Sequence, residues 1–208
     1  MNRNCIVALL TMFVGLCVCS CKNAGTDNVK ENTDQNTQEQ KIVYNDKIQN
    51  VFFGVPLGAT KAEVIEGFAK QSFRVGSYST DSRLCFEKVD NYGYKVKRYT
   101  FGDMDWDHLY VNISNNRFQS IEFQSAYKNK ESAIDCFDGI LSTVSKKYHM
   151  YEDPQADTTC YERYVGRTEN NQWVILQCSS YESYAHDRWI GVCLAYGDNK
   201  YDDVSDEL

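Results

Sequence analysis

Apolar residues recur at three- and four-residue intervals in two places along the chain. Ala133, Cys136, Phe137, Ile140, Leu141, Val144 and Tyr148 form one such stripe, which predicts a helix from about Lys130 to Lys147. Val64, Ile65 and Phe68 form a shorter one, behind Thr60 and Glu63, whose spacing is that of a capping box. Elsewhere the period is two. His108–Ser114 sets Leu109, Val111 and Ile113 against Tyr110, Asn112 and Ser114. Asn115-Asn116 then offers a tight turn into Arg117–Ala126, because Asn tolerates positive φ. Arg83–Val89 and Tyr94–Gly102 can pair around Asp90–Gly93, and Thr159–Gly166, Gln172–Ser180 and Arg188–Tyr196 read as strands. Connections this short join antiparallel neighbours. The predicted fold is therefore α+β, an antiparallel sheet with two helices packed on one face.

The segments also repeat. Tyr99-Thr100-Phe101-Gly102 and, after a seven-residue step, Leu109-Tyr110-Val111 align with Arg163-Tyr164-Val165-Gly166 and Trp173-Val174-Ile175. Arg117–Phe123 aligns with Arg188–Leu194. This predicts tandem α-β-β-β-like halves at about residues 50–127 and 128–198, with one extra strand in the first.

Ahead of this pattern the chain changes character. Arg3 gives a short positive region, and Ile6–Val18 is an apolar run of secretory-signal length, too short to span a bilayer. It ends in Val18-Cys19-Ser20-Cys21, which resembles a bacterial lipobox. Cys17 and Cys19 fit that pattern less well, since Leu16 and Val18 are poor residues before a cleavage. The resemblance implies a signal peptide at 1–20 and a mature chain beginning at an acylated Cys21, anchored to the cell envelope and most simply to the outer membrane. Residues 22–40 hold only Ala24 and Val29 as apolar positions, so residues 21–41 read as the lipidated cysteine and a disordered tether. Its reach is roughly 25 Å by flexible-chain scaling. Residues 42–208 form one domain with an acidic tail. The terminal Ser205-Asp206-Glu207-Leu208 matches a eukaryotic retention address, a coincidence beside a bacterial lipobox. Net charge of −7 leaves no basic stripe for nucleic acid.

Gly58-Ala59-Thr60-Lys61-Ala62-Glu63-Val64 is similar to the Gly-x-Thr-x-x-x-Val helix entry of small envelope lipoproteins of the outer-membrane assembly type. It also resembles the β-lactamase-inhibitor-protein fold, in which such helices pack in tandem on one face of an antiparallel sheet. Phe53-Gly54-Val55-Pro56-Leu57-Gly58, Lys146-Lys147-Tyr148 and Ala195-Tyr196-Gly197-Asp198 more closely resemble a set of bacterial lipoproteins without assigned function. The second helix departs from the pattern, lacking the Gly-x-Thr entry. The broader resemblance implies protein binding, and it carries over no functional residue.

Five cysteines remain beyond Cys21: Cys85, Cys136, Cys160, Cys178 and Cys193. An odd number outside the cytoplasm leaves at least one thiol free. Cys136 lies on the apolar helix stripe, as a small hydrophobe would. Cys160 and Cys178 are symmetric about Glu169, so they are expected to face each other across the Gly166–Trp173 hairpin, with Cys193 as the rival partner of Cys178. No Cys-x-x-Cys points to zinc or redox chemistry. Asp103-x-Asp105-x-Asp107 imitates the start of a calcium loop, but His108 and Ser114 replace its glycine and closing glutamate. It reads as a solvated hairpin tip, with Trp106 against the sheet edge. His108, His149 and His186 have no nucleophile or carboxylate at an informative spacing, and no catalytic motif, metal or cofactor is indicated.

Two surfaces are candidates for binding. One is the aromatic stretch Tyr181-Glu182-Ser183-Tyr184-Ala185-His186-Asp187, running into Trp189. The other is the sheet face away from the helices. If Ile190, Val192 and Leu194 face the helices, then Trp189, Cys193, Val174 and Leu176 are expected to face away. The function these features predict is an envelope-anchored interaction module, an adaptor or inhibitor with an envelope protein as partner and no catalysis. A surface glycan or small-ligand binder using the same aromatics is the alternative, and a hydrolase comes third.

Overall fold

Thr60 opens the first helix as its spacing to Glu63 predicts. Its hydroxyl accepts from the Glu63 backbone N–H at 3.3 Å, and the Glu63 carboxylate accepts from the Thr60 N–H at 2.7 Å. These bonds hold the Glu63 carboxyl below its ordinary pKa. The structure, a computed structural model, describes residues 42–153, 159–182 and 187–201. In chain order the elements are β1 (Val51–Phe52), β2 (Val55–Pro56), α1 (Lys61–Ala69), β3 (Phe73–Val75), β4 (Arg83–Lys88), β5 (Tyr99–Phe101), β6 (Met104–Trp106), β7 (His108–Ser114), β8 (Arg117–Tyr127), α2 (Lys130–Val144), β9 (Tyr151–Glu152), β10 (Cys160–Arg167), β11 (Gln172–Glu182) and β12 (Arg188–Asp198). A 3-10 turn follows at Asn199–Tyr201.

Eight strands form one antiparallel sheet in the order β3-β4-β7-β8-β12-β11-β10-β9. Each half runs a helix and then a four-strand meander, and the halves meet where β8 pairs with β12. The fold is α+β. One of the aligned stretches behind the expected repeat is not reproduced by the pairing. Arg163–Gly166 pairs with β11, whereas β5 of its counterpart Tyr99–Gly102 pairs with β6 in a separate two-stranded sheet. Nor does Tyr94–Gly102 pair along Arg83–Val89, because β3 and β7 occupy the two edges of β4; only Val89 and Lys95 bridge.

The core lies between the sheet and the helices. Leu109 and Val111, Ile121 and Phe123, Val192 and Leu194 are all buried there, against Val64 and Phe68 of α1 and Ala133, Phe137, Ile140 and Val144 of α2. Ile65, expected on the α1 stripe, is exposed; one residue after Val64, it lies 100° further round the helix. Asn115 and Asn116 both take positive φ in the β7–β8 turn, as expected. The motif Phe53–Gly58 is a turn and a dock. Phe53 and Gly54, at φ 52° and 83°, join β1 to β2, and the Gly58 N–H donates to the Phe118 carbonyl at 2.8 Å.

Asn45, which no sequence pattern marks, ties the segment ahead of β1 to the second half. Its backbone N–H donates to the Arg167 carbonyl at 2.7 Å, and its side chain exchanges two hydrogen bonds with the His149 backbone.

The register overturns one expectation directly. Leu176 lies opposite Leu194 and Val174 opposite Tyr196, and both are fully buried on the helix side. The expected register differs from this one by a single residue, and such a slip moves every side chain to the other face. Val174 and Leu176 are core residues.

Candidate functional site

The face away from the helices is built from rows of side chains, one per strand. His108, Gln124, Cys193 and Gln177 form one row across β7, β8, β12 and β11. Tyr110, Glu122, Ala195 and Ile175 form the next. Beyond Trp189, β12 contributes a small residue to each row, in turn Gly191, Cys193, Ala195 and Gly197. The floor is therefore lowest along β12. His108 and Tyr110 rise on one side of it and Tyr181 on the other, around a depression of about 510 Å³ that Gln124, Ser179, Gly191 and Cys193 also line.

Tyr181 is 45% exposed, and its ring lies over Gly191, where a Cβ would come within 3.2 Å of it. Trp189 is its cross-strand partner on the same face, with the Lys128 ammonium 5.2 Å from the ring centroid. The structure thus brings Tyr181 and Trp189 together. Tyr184, His186 and Cys21 lie outside the described residues.

The opposite wall is held by hydrogen bonds. The Glu122 carboxylate accepts from Arg83 Nη2 at 2.8 Å, Asn112 Nδ2 at 2.7 Å and Gln124 Nε2 at 3.0 Å. The Arg83 guanidinium also lies 4.4 Å from the Tyr110 ring centroid, and the His108 ring stacks on Tyr110 at 6.2 Å. His108 and Tyr110 were not legible as site residues. What places them opposite Tyr181 is the strand order, which no local pattern encodes.

Burial lowers the His108 pKa; Lys95 adds to this and Asp107 opposes it. A folded-state pKa below the unfolded one gives stability that is complete above the unfolded value of about 6.5 and declines as pH falls through it. His108→Asn, which cannot titrate, is expected to flatten that decline in denaturation midpoints measured between about pH 7 and pH 5. An unchanged slope would mean that His108 protonates freely in the fold.

The thiols are not arranged as expected. Among the described residues none of the five cysteines is joined to another in a disulfide. The β10–β11 turn centres on residue 170 rather than Glu169, and a bulge between Cys160 and Glu162 shifts the register again, leaving Cys160 opposite Ser179. Cys160 instead places its thiol 3.6 Å from the Cys178 carbonyl oxygen. Cys193 is no rival partner, because Cys178 pairs with Val192 on the inner face while Cys193 points outward. Burial pushes the Cys178 thiol up to about 11 and the Cys193 thiol up to about 12, the Glu162 and Glu122 carboxylates adding to the respective shifts. Cys136 is half-buried on α2, hydrogen-bonded to the Tyr127 hydroxyl. His108 stands two strands from Cys193, roughly 10 Å at ordinary strand spacing, with Gln124 between them. A thiolate and its base are not assembled here.

The aspartates of the calcium-like motif are engaged elsewhere. Asp105 accepts from the Thr100 hydroxyl at 2.8 Å and Asp107 from Arg98 Nε at 2.9 Å. Trp106, expected at the sheet edge, is fully buried in the core. Among the described residues no group of three His, Cys, Asp or Glu side chains is placed to hold a metal ion, and no helix is long and apolar enough to cross a membrane. No protein-family model matches the chain, and neither a curated protein nor a solved structure matches it significantly.

Proposed function

We propose that this chain is an envelope-anchored lipoprotein acting as a protein-interaction module, with its partner seated on the outer sheet face beside Tyr181 and Trp189. One observation carries the reading: aromatic side chains on β7 and β11 flank a depression floored by the small residues of β12. Tyr and Trp offer large contact area at small entropy cost, which is how interface cores are built. The Glu122 hydrogen bonds fix the opposite wall before any partner arrives, which lowers the ordering cost of binding. Catalysis is not part of this reading, since neutral buried thiols and a histidine apart from them supply no activated nucleophile.

Tyr181→Ala and Trp189→Ala are each expected to weaken partner binding by about 2 kcal/mol or more, as truncations at interface hot spots do. Folding stability should change far less, because a half-exposed ring contributes little to the core. Quantitative capture from solubilised envelope, run beside thermal melts of both variants, separates the two. Melting temperatures that drop steeply while capture is unchanged would make these aromatics a mere covering of the sheet.

A further inference from the structure

Trp173, at the opposite end of β11 from Tyr181, anchors a second depression on the same face. It lies opposite Gly197, and its indole rests on that glycine, where a Cβ would sit 2.2 Å from Cζ2. Its Nε1–H donates to Asn199 Oδ1 at 2.7 Å. One side of the ring is thus seated and its in-plane orientation fixed. The adjoining turn is equally constrained. The Thr168 N–H donates to the Gln172 carbonyl at 2.9 Å, the Gln172 N–H to Thr168 Oγ1 at 3.2 Å, and the Asn199 N–H to the Asn171 carbonyl at 3.1 Å. Tyr44, across the depression, belongs to the segment that Asn45 fastens to Arg167. The enclosed volume is about 430 Å³, within the range of small-molecule sites.

The rim has a distinct chemistry. Arg167, Glu169, Asn171 and Gln172 line it with a guanidinium, a carboxylate and two carboxamides, and none of these side chains has a hydrogen-bond partner among the described residues. Each is planar and can engage two adjacent polar atoms at once.

We infer that this depression is a carbohydrate site that takes a pyranose ring of a neutral oligosaccharide. A pyranose presents a face of C–H groups and an edge of vicinal hydroxyls, each both donor and acceptor. The C–H face matches the Trp173 indole, backed by Tyr44, through apolar contact and weak C–H donation to the π face. The hydroxyl edge matches the planar rim groups in pairs. An apolar ligand would strand those groups without partners. An anionic sugar would meet Glu169 in a chain of net charge −7, whereas the rim's own Arg167 and Glu169 charges cancel. The site is separate from the depression beside Tyr181 and does not rest on its reading.

The test is saturation-transfer difference NMR on the full chain in detergent, with cellobiose, lactose, maltose and N,N′-diacetylchitobiose as probes at millimolar concentration. At least one disaccharide should receive saturation, strongest on the C–H face of one ring. Trp173→Ala should then lower its affinity by about tenfold or more, as loss of an aromatic platform does. Arg167→Ala and Gln172→Ala, on the rim, should weaken binding with an unchanged melting temperature, and Tyr181→Ala should leave it intact. No transfer to any of the four sugars would overturn the inference. So would transfer that survives Trp173→Ala, or binding unaltered in both rim variants.

Discussion

Phe123→Ala is expected to destabilise the fold by about 3–5 kcal/mol, the range for removing a fully buried phenylalanine. Phe123 sits on β8, at the middle of the sheet, with none of its surface exposed. The Phe101 ring stacks on it at 4.1 Å with an interplanar angle of 8°. Trp106 lies at 5.7 Å, Phe52 at 6.3 Å and Phe53 at 6.4 Å, in tilted arrangements. Those partners come from β5, β6, β1 and the β1–β2 turn, so both small hairpins rest against this one ring. Its loss leaves a cavity that the rigid sheet cannot close and also loosens the hairpins' seat. Urea denaturation measures the effect, and Phe123→Leu should recover part of it by filling some of the volume. A loss below about 1 kcal/mol would mean that the site collapses freely and that the hairpins are held by other contacts.

What could be read from the sequence was what neighbours in the chain decide. The α2 stripe, the Thr60–Glu63 capping box and the Asn115-Asn116 turn each depend on residues within a few positions, and each is in the structure. Register is different. The bulge between Cys160 and Glu162 has no mark in the sequence, and the turn after β10 is set by a Thr168 side-chain bond rather than by glycine. Strands of two or three residues, such as β3 and β9, are too short to show a period. The β5–β6 hairpin did carry a signal, Gly102-Asp103, both at positive φ, and the expected hairpin tip is there; what the sequence does not show is that Trp106 beside it turns into the core. The outer floor was also partly legible. Gly191, Cys193, Ala195 and Gly197 alternate with Ile190, Val192, Leu194 and Tyr196, which marks one side of β12 as small and the other as core. The Tyr181 wall was legible as part of the aromatic stretch, but the opposite wall was not, because His108 and Tyr110 meet that strand only through β8.

Cys21→Ala is expected to shift the protein from the membrane fraction to the soluble fraction almost completely. Acyl chains bind a bilayer by about 0.8 kcal/mol per buried CH₂, and stable anchoring takes more than one of them. The alternatives for holding this chain at a membrane are weak. Among the described residues no helix is long and apolar enough to cross one, and a net charge of −7 is repelled by anionic lipid. The apolar run Ile6–Val18 leaves with the signal peptide in this reading, so the lipid on Cys21 carries the binding. Fatty-acid labelling and fractionation of the variant test both steps together. Label that survives the substitution rules Cys21 out as the lipid site. Membrane retention without label means that something other than the lipid holds the protein. That is a bound envelope partner where residues 1–20 have been removed and the apolar run Ile6–Val18 where they have not, which the mass of the retained chain distinguishes. In the first case, adding Tyr181→Ala to Cys21→Ala should release it, since that second change removes the aromatic contact through which the partner is proposed to bind.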